Sequence, residues 1–247
     1  MFFLLFFGIL LSIPSVQTKI GTYITNLLHE DFGASIKVEQ VAISIFGGVK
    51  LKKVLIKDHK KDTLIYASRI KTDILSLERL KVGDLIFGDI RIDSLYFNLK
   101  TYKNENRSNI NIFTALFDSG KPSTQKFILN AQNVYVSNSH FILSDENNKS
   151  PKTLDIKDFN MSLNAFKIIG SDVYAKINKL AAVYNNGLII TNLETYFAYT
   201  SRYISLKNLK LETEKSFVKG DLLMKYKDKD FDDFNNKVQF DFNIDNA

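Results

Sequence analysis

From Ser35 onward, apolar residues fall at every second position in short runs, and many of the runs change parity part-way along. Ile36 and Val38 are followed by Val41, Ile43 and Ile45; Val49 and Leu51 by Val54 and Ile56; Ile90 and Ile92 by Leu95, Phe97 and Leu99; Leu154 and Ile156 by Phe159, Met161 and Leu163. In each case the switch falls on a polar position: Gln40, Lys53, Ser94 or Asp158. Similar runs with one interruption start at Leu80, Val134, Leu188 and Ile204. Alternation is the period of a β-strand with one apolar face. A parity switch inside a strand is the work of a β-bulge, whose extra residue bends the strand while the apolar side chains stay on one side. Repeated bulges predict a strongly curved sheet.

Turn-rich stretches separate the runs: Lys57 to Asp62, Lys103 to Asn106, Asp145 to Asn148 and Asn185 to Gly187. Between them, Ile74 to Lys81 and Ile112 to Phe117 predict short helical turns, the second ended by Ser119, Gly120 and Pro122. No segment of about ten to fifteen residues with helix period follows Gly33, so the reading is antiparallel hairpins in series and not a βαβ fold. At the C-terminus Val238, Phe240, Phe242 and Ile244 alternate with Gln239, Asp241 and Asn243 up to Ala247, which reads as an edge strand of a sheet continuing in a longer chain.

The first thirty-three residues have a different grammar. Phe2, Phe3, Leu4, Leu5, Phe6, Phe7, Ile9, Leu10 and Leu11 make Met1 to Ile13 almost wholly apolar, with no charge before Lys19. As a helix this run is about 20 Å long, short of the roughly 30 Å hydrocarbon core. It lacks the basic start and small-residue cleavage site of a secretory signal. It reads as the C-terminal part of an uncleaved membrane anchor, the alternative being a buried N-terminal helix. Pro14 suits the first turn of a new helix, and Val16, Ile20, Ile24, Leu27 and Leu28 form one apolar face of it, with Gly33 as its stop. The chain thus divides into a short anchor over 1–13, an amphipathic helix over 14–33 and a curved β-sheet over 34–247.

Composition narrows the function. With 45% apolar residues in 247, the chain has a sizeable core to bury and is not a disordered one. It has no Cys, which removes disulfides, thiolate metal sites and thiol nucleophiles. The three His, at 29, 59 and 140, show no metal or triad spacing. The net charge is +6, but only five of the 33 basic residues are Arg and no nucleic-acid-binding motif is present, so no nucleic-acid partner is expected. Neither a cofactor nor an enzymatic activity is called for by any motif.

Individual candidates carry competing readings. The acidic positions Asp228, Asp230, Asp232 and Asp233 lie in a Lys-rich run and read as a solvated loop more than a metal site. His140 reads as a surface or rim histidine. Tyr196, Phe197, Tyr199 and Tyr203 form an aromatic cluster that could face acyl chains or headgroups, or build a cross-strand ladder. Lys50, Lys52, Lys53, Lys57, Lys60 and Lys61 could meet anionic headgroups, or keep hairpins from pairing at their edges.

An anchor, then Pro14-Ser15-Val16-Gln17-Thr18-Lys19-Ile20, then Gly33 to Val38, resembles the N-terminal end of the AsmA-like superfamily, specifically the TamB-type translocation and assembly module proteins. The stretch from Ile74 to Ile92 is similar to that family's helical turn and strand entry, and Leu209 to Ser216 to one of its later strands. The resemblance implies an elongated, open, taco-shaped β-groove lined with apolar side chains. It also implies inner-membrane anchoring with the bulk in the periplasm of a Gram-negative cell. Phospholipid transfer toward the outer membrane would follow, as would support of outer-membrane protein assembly beside a barrel of the TamA type, met through a C-terminal part this chain does not contain.

A physical case for lipid stands beside the resemblance. An antiparallel sheet with one apolar face must cover it with a second sheet, by closing on itself, or with something that is not protein. If acyl chains provide the cover, Val41, Ile43, Ile90, Ile92, Leu95, Phe97, Leu99, Phe159 and Met161 are the expected groove lining. The alternative is a closed β-domain with a dry core and a structural or protein-binding role.

Overall fold

The computed structural model describes residues 35–44, 48–76, 85–116, 128–148, 153–169, 172–184, 187–200, 202–226 and 238–246. The expected anchor, the amphipathic helix, most of the helical turn at 74–81 and the acidic run at 228–233 lie outside the described residues.

Eleven strands form one sheet: β1 (Ile36–Ile43), β2 (Gly48–Lys57), β3 (Thr63–Ile74), β4 (Leu85–Thr101), β5 (Ile128–Asp145), β6 (Thr153–Ile169), β7 (Asp172–Tyr184), β8 (Ile189–Tyr199), β9 (Tyr203–Thr213), β10 (Phe217–Tyr226) and β11 (Val238–Asn246). Their order in space is their order in sequence, and β1 and β11 are the two edges. The protein is therefore mainly β, and the sheet is open: β1 and β11 do not pair, so the alternative of a sheet closed on itself is not what the chain adopts. The turn-rich stretches fall at the ends of β2, β4, β5 and β7 as read from the sequence, and Gly187 takes a φ of +81° in the last of them.

One pairing departs from hairpins in series. β4 and β5 run parallel, in register from Leu85 opposite Leu129 to Thr101 opposite Asp145. Every other neighbouring pair is antiparallel, so the sheet is mixed. A parallel pair needs a crossover of a dozen or more residues, and residues 102–127 supply it. Extended chain covers about 3.3 Å per residue, so a connection of this length can return to the start of β4. Its described part carries one short helix, α1 (Asn109–Ala115), beginning three residues before the predicted turn at Ile112. Ser108 opens it, its carbonyl accepting from the Ile112 N–H at 3.1 Å.

Side-chain parity explains the sheet's two faces. Across β1 to β6 one row of directly opposed residues reads Val41, Leu51, Ile70, Ile92, Val136 and Met161, and another reads Ile43, Val49, Thr72, Ile90, Val134 and Leu163. Three residues further along β1, β2, β3 and β4 lies the row Val38, Val54, Ala67 and Leu95, on the same face. The step of three is present in each of β1 to β6, and the two residues it skips are always polar: Glu39-Gln40, Lys52-Lys53, Ser68-Arg69, Asp93-Ser94, Ser137-Asn138 and Lys157-Asp158. Lys53, Ser94, Asn138 and Asp158 have φ of 48°, 53°, 51° and 48°, so left-handed residues re-aim the side chains there. Three of the four parity switches read from the sequence are such residues; at Gln40 the switch occurs without one. Asn138, Ala165 and Asn208 are further left-handed positions, Ala165 marking a second step in β6.

The ladder is interrupted at each step, with no change of register across it from β1 to β5, and buried backbone groups left without a strand partner there must find others. Ser139, only 3% exposed, accepts from the Leu95 N–H at 3.1 Å and donates to the Ser137 carbonyl at 2.9 Å. Ser68 donates to the Asp93 carbonyl at 2.7 Å, and the Asn160 carboxamide oxygen accepts from the Asn138 N–H at 3.1 Å. This line of parity steps is held by short polar side chains at the places where strand-to-strand bonds are missing.

The core sits on the apolar face of β5, β6 and β7: Ala131, Val134, Val136, Leu163, Ala175 and Ile177 are all buried. Phe87, Ile90, Leu95, Phe159, Met161, Leu193 and Phe197 pack against them while remaining half-buried.

A separate polar hub closes one end of the sheet. Asp58 accepts from the N–H groups of Lys60 and Asp62, from the Tyr102 hydroxyl at 2.7 Å and from the Asn109 amide at 3.1 Å. Burial raises the Asp58 pKa, but these hydrogen bonds outweigh it and leave the carboxyl below the usual range. Asn109, fully buried, bonds the backbone of β4 like a missing strand: its amide donates to the Asn98 carbonyl at 2.9 Å and its oxygen accepts from the Lys100 N–H at 2.9 Å.

Candidate functional site

All nine residues expected to line a groove lie on the apolar face, and the register brings them together. Ile43 and Ile90 belong to one row, Val41, Ile92 and Met161 to the next, and Leu95 and Phe97 follow beyond the parity step in β4. Phe159 opposes Ser139, and Leu99 opposes Leu143. Phe97 meets Phe141 at 5.5 Å between ring centres. Val41 is buried, at 6% exposure, and has little surface to offer a ligand; the other eight are half-buried. Among the described residues no second sheet lies over this face, and the only helix is α1, which docks on β4.

The face is nearly featureless chemically. Its polar interruptions include Ser139, satisfied as above, Thr72 and Thr195 in the rows of Val49 and Ile177, and Thr213 opposite Ile190. Thr195 donates to the Lys207 carbonyl at 3.0 Å. Thr72 Oγ1 is the one buried side-chain polar atom without a partner among the described residues.

The opposite face carries specific polar pairs. A row of directly opposed residues runs from Asp89 through Asn133, Asn164, Lys176 and Tyr196 to Lys207. Asn164 donates to Asn133 at 2.5 Å and Asn133 donates to Asp89 at 2.7 Å. The Asn133 bond, then the Arg91 guanidinium at 2.7 Å, hold the Asp89 carboxyl below its usual pKa. Nearer β1, Lys50 and Lys52 lie beside Lys71 and Arg69, and the Lys50 pKa is lowered, first by Lys52. Of the other lysines in the run at 50–61, Lys53 pairs with Glu39 at 2.9 Å and Lys60 with Glu105 at 3.0 Å.

His140 is neither free nor a ligand in a cluster: its Nε2 lies 2.6 Å from Asp155 Oδ1, and its ring meets the edge of Tyr96. The four aromatics at 196–203 do not act as one cluster. Phe197 packs on the apolar core, while Tyr196, half exposed, stands on the polar face with Lys176 stacked over its ring at 5.5 Å. Tyr203, opposed to Lys225, is also on the polar side. Adjacent strand residues point to opposite faces, so a sequence cluster spaced by one residue splits. No group of three or more His, Asp or Glu side chains is placed to hold a metal among the described residues, and none of their helices is long and apolar enough to cross a membrane.

No family model matches the chain, and no curated protein matches it either.

Proposed function

We infer that the protein is a non-enzymatic groove protein of the cell envelope whose apolar face carries phospholipid acyl chains. The observation that supports this is the single open sheet: one apolar row, Val41 to Met161, crosses six strands on one side, with no second protein layer over it among the described residues. The parity steps in β1 to β6 keep apolar side chains on that side, and a sheet curved toward it forms a trough. Each methylene laid in it gains about 0.8 kcal/mol, so a whole acyl chain is held strongly while no one residue is decisive. Even, unspecific contacts allow the chain to slide. The order of apolar N-terminus, amphipathic segment and bulged strands, similar to TamB-type proteins, supports a setting at the inner membrane with the sheet in the periplasm. In that setting transfer runs between inner and outer membranes, and support of outer-membrane protein assembly belongs to the same proposal.

Gentle purification followed by lipid extraction and mass spectrometry tests the reading. Phospholipid should co-purify in near-stoichiometric amounts, and a lipid-free protein that takes none up from vesicles would remove it. Phe97→Asp should abolish photocrosslinking to lipid while the far-ultraviolet circular dichroism of the sheet is retained. Global unfolding of that variant would mark Phe97 as part of a dry core instead.

A further inference from the structure

One sizeable cavity is not on the apolar face. It lies on the polar side of β6 to β10, has a volume of about 1020 Å³, and is walled by Tyr174, Tyr196 and Tyr203 with Lys176, Arg202 and Lys207. Register explains the grouping. Lys176 and Lys207 are the direct neighbours of Tyr196 on either side, so two ammonium groups flank one phenol ring across three adjacent strands. At about 4.8 Å per strand the two lysine backbones stand roughly 10 Å apart, a span that one phosphate group between their side chains bridges. Arg202 sits in the turn between β8 and β9, at the edge of the same space.

The charges are unbalanced. Lys225, also in the wall, is paired with Asp241 at 2.9 Å, but Lys176, Arg202 and Lys207 form no ion pair among the described residues. Among the described residues no carboxylate lines the cavity; Asp172 lies beside Tyr174, Glu194 near Lys176 and Asp241 on Lys225. Cations gathered without anions repel one another and are relieved by an anionic ligand. A guanidinium offers a forked donor pair suited to phosphate, and the tyrosines offer flat, amphipathic walls with hydroxyl groups at their tips. Aromatic and aliphatic side chains with a few convergent polar groups are the make-up of a ligand pocket.

We propose that this cavity binds a phosphorylated saccharide, the phosphate held by Lys176, Arg202 and Lys207 and the sugar ring laid against Tyr196. The group could arrive as a soluble sugar phosphate or as the phosphorylated sugar headgroup of a lipid, and the site stands whether or not the apolar face carries acyl chains. Tyr196, Lys176, Arg202 and Lys207 are all exposed, so replacing them leaves the fold intact.

Isothermal titration of the full chain with glucose 6-phosphate, inorganic phosphate and glucose provides the test, alongside flotation with phosphatidylcholine vesicles with and without phosphatidylinositol 4-phosphate. Glucose 6-phosphate should bind, glucose should not, and Lys207→Ala or Arg202→Ala should each weaken binding about tenfold through loss of one charge-assisted contact. Tyr196→Ala should weaken the sugar phosphate but not inorganic phosphate. Binding to the phosphoinositide vesicles alone would assign the group to a lipid headgroup, and binding of the free sugar phosphate to a soluble ligand. Failure of both probes, affinity unchanged by the Lys207 and Arg202 replacements, or inorganic phosphate binding as tightly as the sugar phosphate would overturn the proposal.

Discussion

The two faces of this one sheet are built from alternate residues of the same strands, yet they follow different rules. On the apolar face nearly any Val, Ile, Leu or Phe could replace another, because burial is non-directional and scales with area. On the polar face identity matters residue by residue: Asn164 bonds Asn133, which bonds Asp89, and Arg91 lies over the Tyr135 ring at 4.8 Å. Stability is thus spread diffusely on one side, and specificity is written in directional contacts on the other.

The largest effects should come from putting the wrong chemistry on the apolar side. Val134→Asp, at a position only 7% exposed, places a carboxylate without partners in the core and should cost about 4 kcal/mol or prevent folding, read by urea denaturation. Lys71→Asp, on the other face of the sheet in β3, should leave the denaturation midpoint almost unmoved. Equal losses at the two sites would erase the distinction between the faces.

Next in size is the polar hub at the sheet end. Asn109→Ala leaves the Asn98 carbonyl and the Lys100 N–H unpaired and should cost about 1–3 kcal/mol. Asp58→Asn should cost a similar amount, and it should also change the pH dependence. The folded pKa of Asp58 lies below its unfolded value, so its contribution is fully present above the unfolded pKa and is lost as pH falls through the folded one. Wild-type stability should therefore drop below about pH 4 more steeply than that of Asp58→Asn. Parallel profiles would show that the Asp58 carboxylate is not the hub's acid-sensitive member.

Smaller effects test the left-handed step at Ala165 and the one orphaned group among the described residues. Ala165, with φ of 50°, pays a left-handed penalty that glycine avoids, so Ala165→Gly should stabilise by about 0.5–1 kcal/mol, whereas Ala165→Val should destabilise. Thr72→Val removes the unpartnered hydroxyl from the apolar row and should be neutral or stabilising by up to about 1 kcal/mol. A loss in thermal melting of Thr72→Val would mean that the hydroxyl has a partner in solution.

Much of the strand plan was legible in the residues. Two consecutive polar positions between alternating apolar runs mark the parity steps, and Lys53, Ser94 and Asp158 were readable for that reason, although at Lys53 and Ser94 both paired strands step together and no bulge is inserted. Asn138 carries the same signature in Ser137-Asn138, but Ser139 stands where an apolar residue would have completed the run, and its role as a buried bonding partner shows only once Leu95 is beside it. The hub was half visible: Asp58 and Asp62 bracket a turn, but Tyr102 and Asn109 reach it from more than forty residues away. The basic cavity was hidden because Lys176, Tyr196 and Lys207 are on different strands, and in sequence Tyr196 reads as a neighbour of Phe197, from which the pleat separates it.

What the sequence determined by itself was local: strand period, turns, and the parity steps that keep apolar side chains on one side, all consequences of backbone geometry within a few residues. Which strands became neighbours, that β4 and β5 run parallel, that the sheet stays open, and that unpaired cations gather around Tyr196 were decided only by the tertiary structure. Those outcomes depend on register between distant segments, and register is a property of pairs of strands that no single strand carries.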